Sequence, residues 1–193
     1  MTTEVFRRLD EALGDVPRVG VVHVGAHRGE EVPDYQRAGF ESITLVEPNP
    51  DLQSHLVQLA QVTFGVTVHF CAAGQEGRAV LHRTTWSERA SLLTPRDYDT
   101  VDVVTVEVQP LSELQKGCNV AVLDCQGSEL DVLRTGTLYE FDALIVECDN
   151  RRRYDGAAVA AEIDDFLVNQ GWHATGAYGG HSSPHLRDVV WKR

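Results

Sequence analysis

Gly25 and Gly29 bracket a short turn with Ala26, His27 and Arg28 between them, and Glu47 lies a further stretch down the chain. A glycine turn opening a helix lets backbone approach a ligand without Cβ interference, and a carboxylate about 20 residues on can accept both hydroxyls of a ribose. Two later segments, Asp124-Cys125-Gln126-Gly127 and Glu147-Cys148-Asp149-Asn150, add acids beside apolar runs. Such carboxylates could bind an ammonium, orient a hydroxyl or take its proton.

The turn also says which nucleoside to expect. A dinucleotide site needs a second glycine two residues after the first, so that a pyrophosphate can lie on the helix N-terminus. His27 holds that position, and the pair Glu30-Glu31 opens the helix. Carboxylates suit the positive end of a helix but repel a diphosphate. A cationic nucleoside cofactor without phosphate fits better, and S-adenosylmethionine, leaving as S-adenosylhomocysteine, is the common one.

The elements that must position these groups alternate. β-Branched residues from Val19 to Val24 read as a strand, followed by a helix from Glu30 to Ala38, a strand from Ser42 to Glu47, a helix from Asp51 to Ala60 and a strand from Val66 to Cys71. That is the βαβαβ half of a doubly wound α/β fold. An amphipathic helix is expected ahead of it, from Glu4 to Leu13 within residues 1–17. Residues 75–115 break the alternation with two further strands around a polar loop holding Trp86, Arg89 and Ser91. Parallel order resumes at Asn119 to Asp124, a helix from Ser128 to Arg134, the strand Ala143 to Glu147 and a helix from Ala157 to Gln170. Residues 172–193 read as an antiparallel hairpin around a glycine- and histidine-rich loop. In open α/β sheets ligands bind beyond the carboxyl ends of the strands, which is where Gly25, Glu47, Ala72, Ala73, Asp124 and Glu147 fall.

A chain of 193 residues suits a single domain. With a net charge of −12 it presents no basic stripe for nucleic acid, Arg151-Arg152-Arg153 being its one basic cluster. The N-terminal residues carry charge where a signal peptide needs an apolar core, and no window spans a membrane, so a cytoplasmic location is expected. Four cysteines without paired metal-ligand spacing read as buried thiols, and no metal is expected.

Three segments together resemble the FkbM family of S-adenosylmethionine-dependent methyltransferases: VVHVGAHRGE, ITLVEPNP and VLDCQGSELDVLRTG. In the third, Asp124, Gln126, Gly127, Glu129, Leu130, Val132 and Leu133 stand where that family has an Asp, a Glu or Gln, a Gly and a helix with Glu-Leu and Val-Leu pairs. The resemblance implies a Rossmann-like class I methyltransferase fold, with a seven-stranded, mostly parallel sheet of order 3-2-1-4-5-7-6 and strand 7 antiparallel. The family usually has an Asp at the position of His23, where it helps hold the cofactor's methionine ammonium.

The expected cofactor shell is therefore His23, Gly25, Ala26, Gly29, Glu47, Pro48, Ala72, Ala73, Asp124 and Gln126, with Cys71 beside the adenine. Asp124, Glu147 and His181 are the catalytic candidates. Asp124 reads alternatively as a helix N-cap, and His181 and His185 as residues of a lid or of a plain surface loop. The expected activity is methyl transfer to a hydroxyl of a small molecule such as a sugar or secondary metabolite, with a homodimer as the candidate assembly. A nitrogen acceptor, a noncatalytic cofactor-binding protein and a nicotinamide dehydrogenase are the competing readings.

Overall fold

A computed structural model describes residues 4–179 and 185–193. The amino-terminal segment forms α1 (Glu4–Arg7) and α2 (Leu9–Leu13), one amphipathic helix interrupted at Arg8, whose φ of −117° departs from helical backbone. Then follow β1 (Gly20–Val24), α3 (Val32–Arg37), β2 (Ser42–Val46), α4 (Gln53–Val62), β3 (Val66–His69) and the two-residue β4 (Ala72–Ala73). The interrupting segment supplies β5 (Gly77–Thr84) and β6 (Thr100–Gln109). The chain continues through α5 (Leu111–Leu114), β7 (Val120–Leu123), α6 (Glu129–Leu133), β8 (Ala143–Asp149), α7 (Ala160–Asn169), β9 (His173–Gly179) and β10 (Leu186–Lys192).

Seven strands form the main sheet in the order β3-β2-β1-β7-β8-β10-β9. Counting only those seven along the chain gives 3-2-1-4-5-7-6, the expected order, and β10 is antiparallel to both neighbours. The chain reverses direction in the sheet beside β1, where β2 lies on one side and β7 on the other. A crevice opens at the carboxyl ends of such a pair. The extra strands stay out of this sheet: β4, β6 and β5 form a second, three-stranded one.

Both faces of the main sheet are covered, so its inner strands are apolar throughout rather than alternating. Val22, Val24, Leu123, Leu144 and Val146 pack with Trp172 and Trp191 on one face, while Val21, Ile43, Leu45, Val122 and Ile145 pack against Phe6, Leu9 and Tyr35 on the other. All four cysteines are free thiols; Cys71, Cys118 and Cys148 are buried in the first of these clusters. Among the described residues no helix is long and apolar enough to cross a membrane.

One contact joins the two strand ends that matter most. Gly25 follows β1 with φ +82°, and a Cβ placed on it would lie 1.8 Å from the carbonyl oxygen of Asp124. Gly39 has a similar φ of +88°, but a Cβ there meets nothing within 4 Å. The pair separates strain from collision. Gly39→Ala should cost about 1–2 kcal/mol for left-handed backbone alone, whereas Gly25→Ala should cost about 4 kcal/mol or more, as measured by denaturant unfolding.

Candidate active site

The glycine turn folds onto the end of β2 through its backbone. The N–H groups of Gly25 and Ala26 both donate to the carbonyl of Val46, at 2.9 and 3.2 Å. His27, also left-handed with φ +47°, donates its N–H to Glu47 Oε2 at 2.9 Å. Asn49 N–H donates to the other oxygen, Oε1, at 2.8 Å. Each carboxylate oxygen keeps acceptor capacity beyond that bond. Glu47 is buried, and burial pushes its carboxyl up to about 7 in spite of the two backbone N–H groups.

Glu47 faces a cavity of about 530 Å³ lined also by Gly25, Pro48, Ala72, Ala73, Asp124 and Gln126. Leu81 on β5, with Ser87, Ala90 and Leu92 from the segment between β5 and β6, forms its roof. His27 ties floor to roof: Nδ1 meets Glu30 Oε1 and Nε2 meets Ser87 Oγ, each at 2.8 Å. Among the described residues the lining carries three carboxylates, Glu47, Glu88 and Asp124, and no lysine or arginine.

Other residues expected around a cofactor lie elsewhere. The His23 ring sits on the opposite face of the sheet, stacked at 6.0 Å on Phe6 and hydrogen-bonded through Nδ1 to the Tyr35 hydroxyl at 3.0 Å. Burial holds it neutral, pushing its pKa down to about 4. Strand parity is the reason, since β1 sends Val22 and Val24 to one face and Val21 and His23 to the other. Ala26 is fully buried beneath the turn, and Gly29 abuts Leu59 and Leu45. Cys71 is in the core rather than in the cavity lining. His181 lies outside the described residues, and His185 is exposed.

The segment after β7 builds the other half of the site. Asp124 is not the cap of α6: Ser128 holds that position without a side-chain cap bond. Glu129 instead reaches back over the turn, its Oε1 accepting from Cys125 N–H at 2.8 Å and both oxygens from Gly127 N–H at 3.1 Å. Gln126 is left-handed, with φ +53°, a conformation costing a non-glycine residue about 1–2 kcal/mol. Ser91 in the roof accounts for its persistence by donating Oγ–H to the Gln126 carbonyl at 2.8 Å.

A second cavity, of about 330 Å³, lies on the far side of Gln126, lined by Glu147, Asp149, Arg89, Arg151, Arg153 and Tyr154 among others. Gln126 is the residue common to both linings among the described residues. The basic run thus divides: Arg151 and Arg153 pair with Asp149 at the cavity, while Arg152 turns away to Glu162. Arg89 joins the wall, but Trp86 is 63% exposed and does not. Asp124, Glu129 and Glu147 each bring a carboxylate oxygen within 4.8 Å of the other two. Burial raises all three: Glu129 to about 7, Glu147 well above the carboxylate range through additional repulsion from Asp124, and Asp124 upward although Gln126 and Glu147 hydrogen-bond to it.

The roles of Glu129, Ser87, Ser91 and Tyr154 were not assigned from sequence. Glu129 follows Gly127 by two residues, a spacing that lets its carboxylate fold back on the turn; the other three meet the site through long-range pairing and carry no local signal.

With this geometry in place, comparison with protein families is decisive: the model of the methyltransferase FkbM domain matches residues 23–173. The chain belongs to the FkbM methyltransferase family. No curated protein matches the sequence. Solved structures of the same fold include a candidate RNA methyltransferase from Pyrococcus horikoshii (TM-score 0.57, 12% identity, covering 97% of this chain and 82% of that one). Ribosomal protein L11 methylase from Lactobacillus delbrueckii subsp. bulgaricus follows, with TM-score 0.56, 9% identity and coverage of 99% and 78%. Magnesium protoporphyrin IX methyltransferase from Synechocystis PCC 6803, solved with bound S-adenosylmethionine, has TM-score 0.56, 13% identity and coverage of 98% and 76%. At these identities the likeness is one of fold, and the three differ in acceptor.

The buried acids make stability depend on pH in an unusual sense. Glu47 and Glu129 hold their protons to about pH 7 when folded and release them near the ordinary carboxylate value when unfolded. Their contribution is therefore complete at low pH and lost as pH rises through 7, by about 1–3 kcal/mol each. His23 acts oppositely, but only below its ordinary value of 6.5. Between pH 6.5 and 8 the ligand-free protein should become less stable in denaturant melts, and Glu47→Gln should flatten that slope.

Proposed function

We propose that this protein transfers a methyl group from S-adenosylmethionine to a hydroxyl of a small molecule, within the FkbM methyltransferase family. The observation that carries the reading is the adjacency of Asp124 and Glu147 in the wall between two cavities, one suited to the cofactor and one to an acceptor.

The residues present fit the cofactor. Glu47 retains acceptor capacity for ribose hydroxyls after binding two backbone N–H groups. Ala72 and Ala73 leave room for a flat ring beside Pro48, and Gly25 keeps the turn free of a side chain. A lining with three carboxylates and no lysine or arginine suits a cationic ligand and disfavours the diphosphate of a nicotinamide dinucleotide. When bound, the cofactor supplies an electrophilic methyl carbon on a sulfonium.

What remains for the protein is placement and proton removal. Displacement at that carbon needs the acceptor oxygen about 3 Å away and opposite the sulfur, which sets the meeting point of cofactor and acceptor beside Gln126, the residue common to both linings among the described residues. An alcohol must lose its proton as the new bond forms, and Asp124 is the carboxylate facing the first cavity at that point. Glu147 and Asp149 accept, and Arg89 donates, within the second cavity, a mixture matched to a polyhydroxylated acceptor. The net charge of −12 disfavours a polyanionic acceptor such as RNA.

Two measurements test the reading. Calorimetric titration with S-adenosylhomocysteine should show binding that Glu47→Ala weakens tenfold or more, as expected for losing charge-assisted bonds of about 1.5–3 kcal/mol each. Label transfer from S-adenosylmethionine should favour hydroxylated small molecules over amines and over transfer RNA. Preference for an amine or for RNA would overturn the acceptor class.

A further inference from the structure

Gln126 cannot itself take a proton, yet every polar direction of its side chain is engaged. Nε2 donates to Asp124 Oδ1 at 2.6 Å and to Glu147 Oε2 at 3.2 Å. Oε1 accepts from Arg89 Nη1 at 3.1 Å and from the Tyr154 hydroxyl at 2.8 Å. The amide cannot be reversed, because a guanidinium has no acceptor to offer Nε2. Its backbone is equally fixed, by Ser91 on the carbonyl. Gln126 is a buried residue, 7% exposed.

This arrangement treats the two acids unequally. The short bond goes to Asp124 and the long one to Glu147. A hydrogen-bond donor stabilises the ionised form of the carboxyl it meets more closely. Charges surround both acids: Glu147 faces Asp124, Glu129 on α6 and Asp188 on β10, with Arg89 opposing, and Asp124 faces the carboxyls of Glu31, Glu47 and Glu129, with Arg89 and His27 in its favour.

We infer that Gln126 is a positioning residue that divides the labour of the acid pair, holding the negative charge on Asp124 and leaving the pair's one proton on Glu147. The inference rests on the hydroxyl-methylation reading, in which a proton must be removed. As the oxygen–carbon bond forms to the methyl of a sulfonium donor and the carbon–sulfur bond breaks, the hydroxyl proton passes to Asp124. The pair is then neutral and returns one proton to water. Asp124 thereby works as base while Glu147 donates its own hydrogen bond to it, and Gln126 touches neither the reacting oxygen nor its proton.

Carbon-13 labelling of the carboxyl groups, with titration by NMR in the ligand-free protein and assignment from Asp124→Asn and Glu147→Gln, reads the division directly. Wild type should show two well-separated steps, with Asp124 the lower. Gln126→Met, which keeps size and loses the amide, should bring the two steps at least one pH unit closer. It should also move the acidic limb of kcat upward by a similar amount. Should Gln126→Met fail to fold, the order of the wild-type steps decides, and Glu147 as the lower of the two would overturn the inference. Unaltered titration steps in the folded variant would overturn the inference. Displaced steps in a protein that methylates no hydroxyl would instead reject the proposed acceptor while leaving the role of Gln126 in place.

Discussion

The ends of β1 and β7 approach so closely that the carbonyl of Asp124 occupies the space a side chain on residue 25 would need. Both halves of the site hang from that contact. On one side the turn carries His27, whose N–H fixes one oxygen of Glu47; on the other, Asp124 leads into the left-handed Gln126 that reaches Glu147. A glycine is required because backbone meets backbone there, and no rotation of a side chain could relieve the collision. The two carboxylates that define the first cavity are thus held in register by main chain, the stiffest part of the molecule.

Collecting acids in a dry crevice raises the question of what keeps the fold from expelling them. Here backbone N–H groups and one carboxamide do most of that work. Glu47 has two N–H partners, Glu129 has two, and the pair Asp124 and Glu147 shares the amide of Gln126. Neutral donors of this kind stabilise a carboxylate without placing a cation in the cavity, which leaves the crevice acidic as a whole. The guanidinium groups gather instead in the second cavity, with Asp149 between Arg151 and Arg153. The two compartments therefore differ in charge although a single residue separates them.

The order of the seven strands rested on the resemblance to the FkbM family, whereas the βαβαβ half was legible because apolar runs alternate with amphipathic segments. Glu47, Pro48, Ala72, Ala73 and Asp124 could be placed in one crevice on the same grounds, since strand ends converge in a parallel sheet. His23 could not. A strand covered on both faces shows no polar alternation, so its sequence gives no sign of which face a lone histidine takes. The cap by Glu129 and the bridges from Ser87, Ser91 and Tyr154 depend on contacts made after the chain has folded back, and local spacing does not encode them. The two extra strands could be recognised as strands, but their separation into a second sheet depends on β4, only two residues long.

The roof and the segment after β8 are also stitched to each other. Pro95 pairs with Tyr154 in a β-bridge, Arg96 N–H donates to the Arg153 carbonyl and Asp155 N–H to that of Thr94, at 2.8 and 2.9 Å. Arg89 lies 5.8 Å over the Tyr98 ring, and Tyr98 in turn accepts from Arg153. Two segments distant in sequence thus form one wall. The second cavity is therefore a joint product of both segments: a substitution on one meets its partner on the other, while the cradle around Glu47 takes its bonds from different residues.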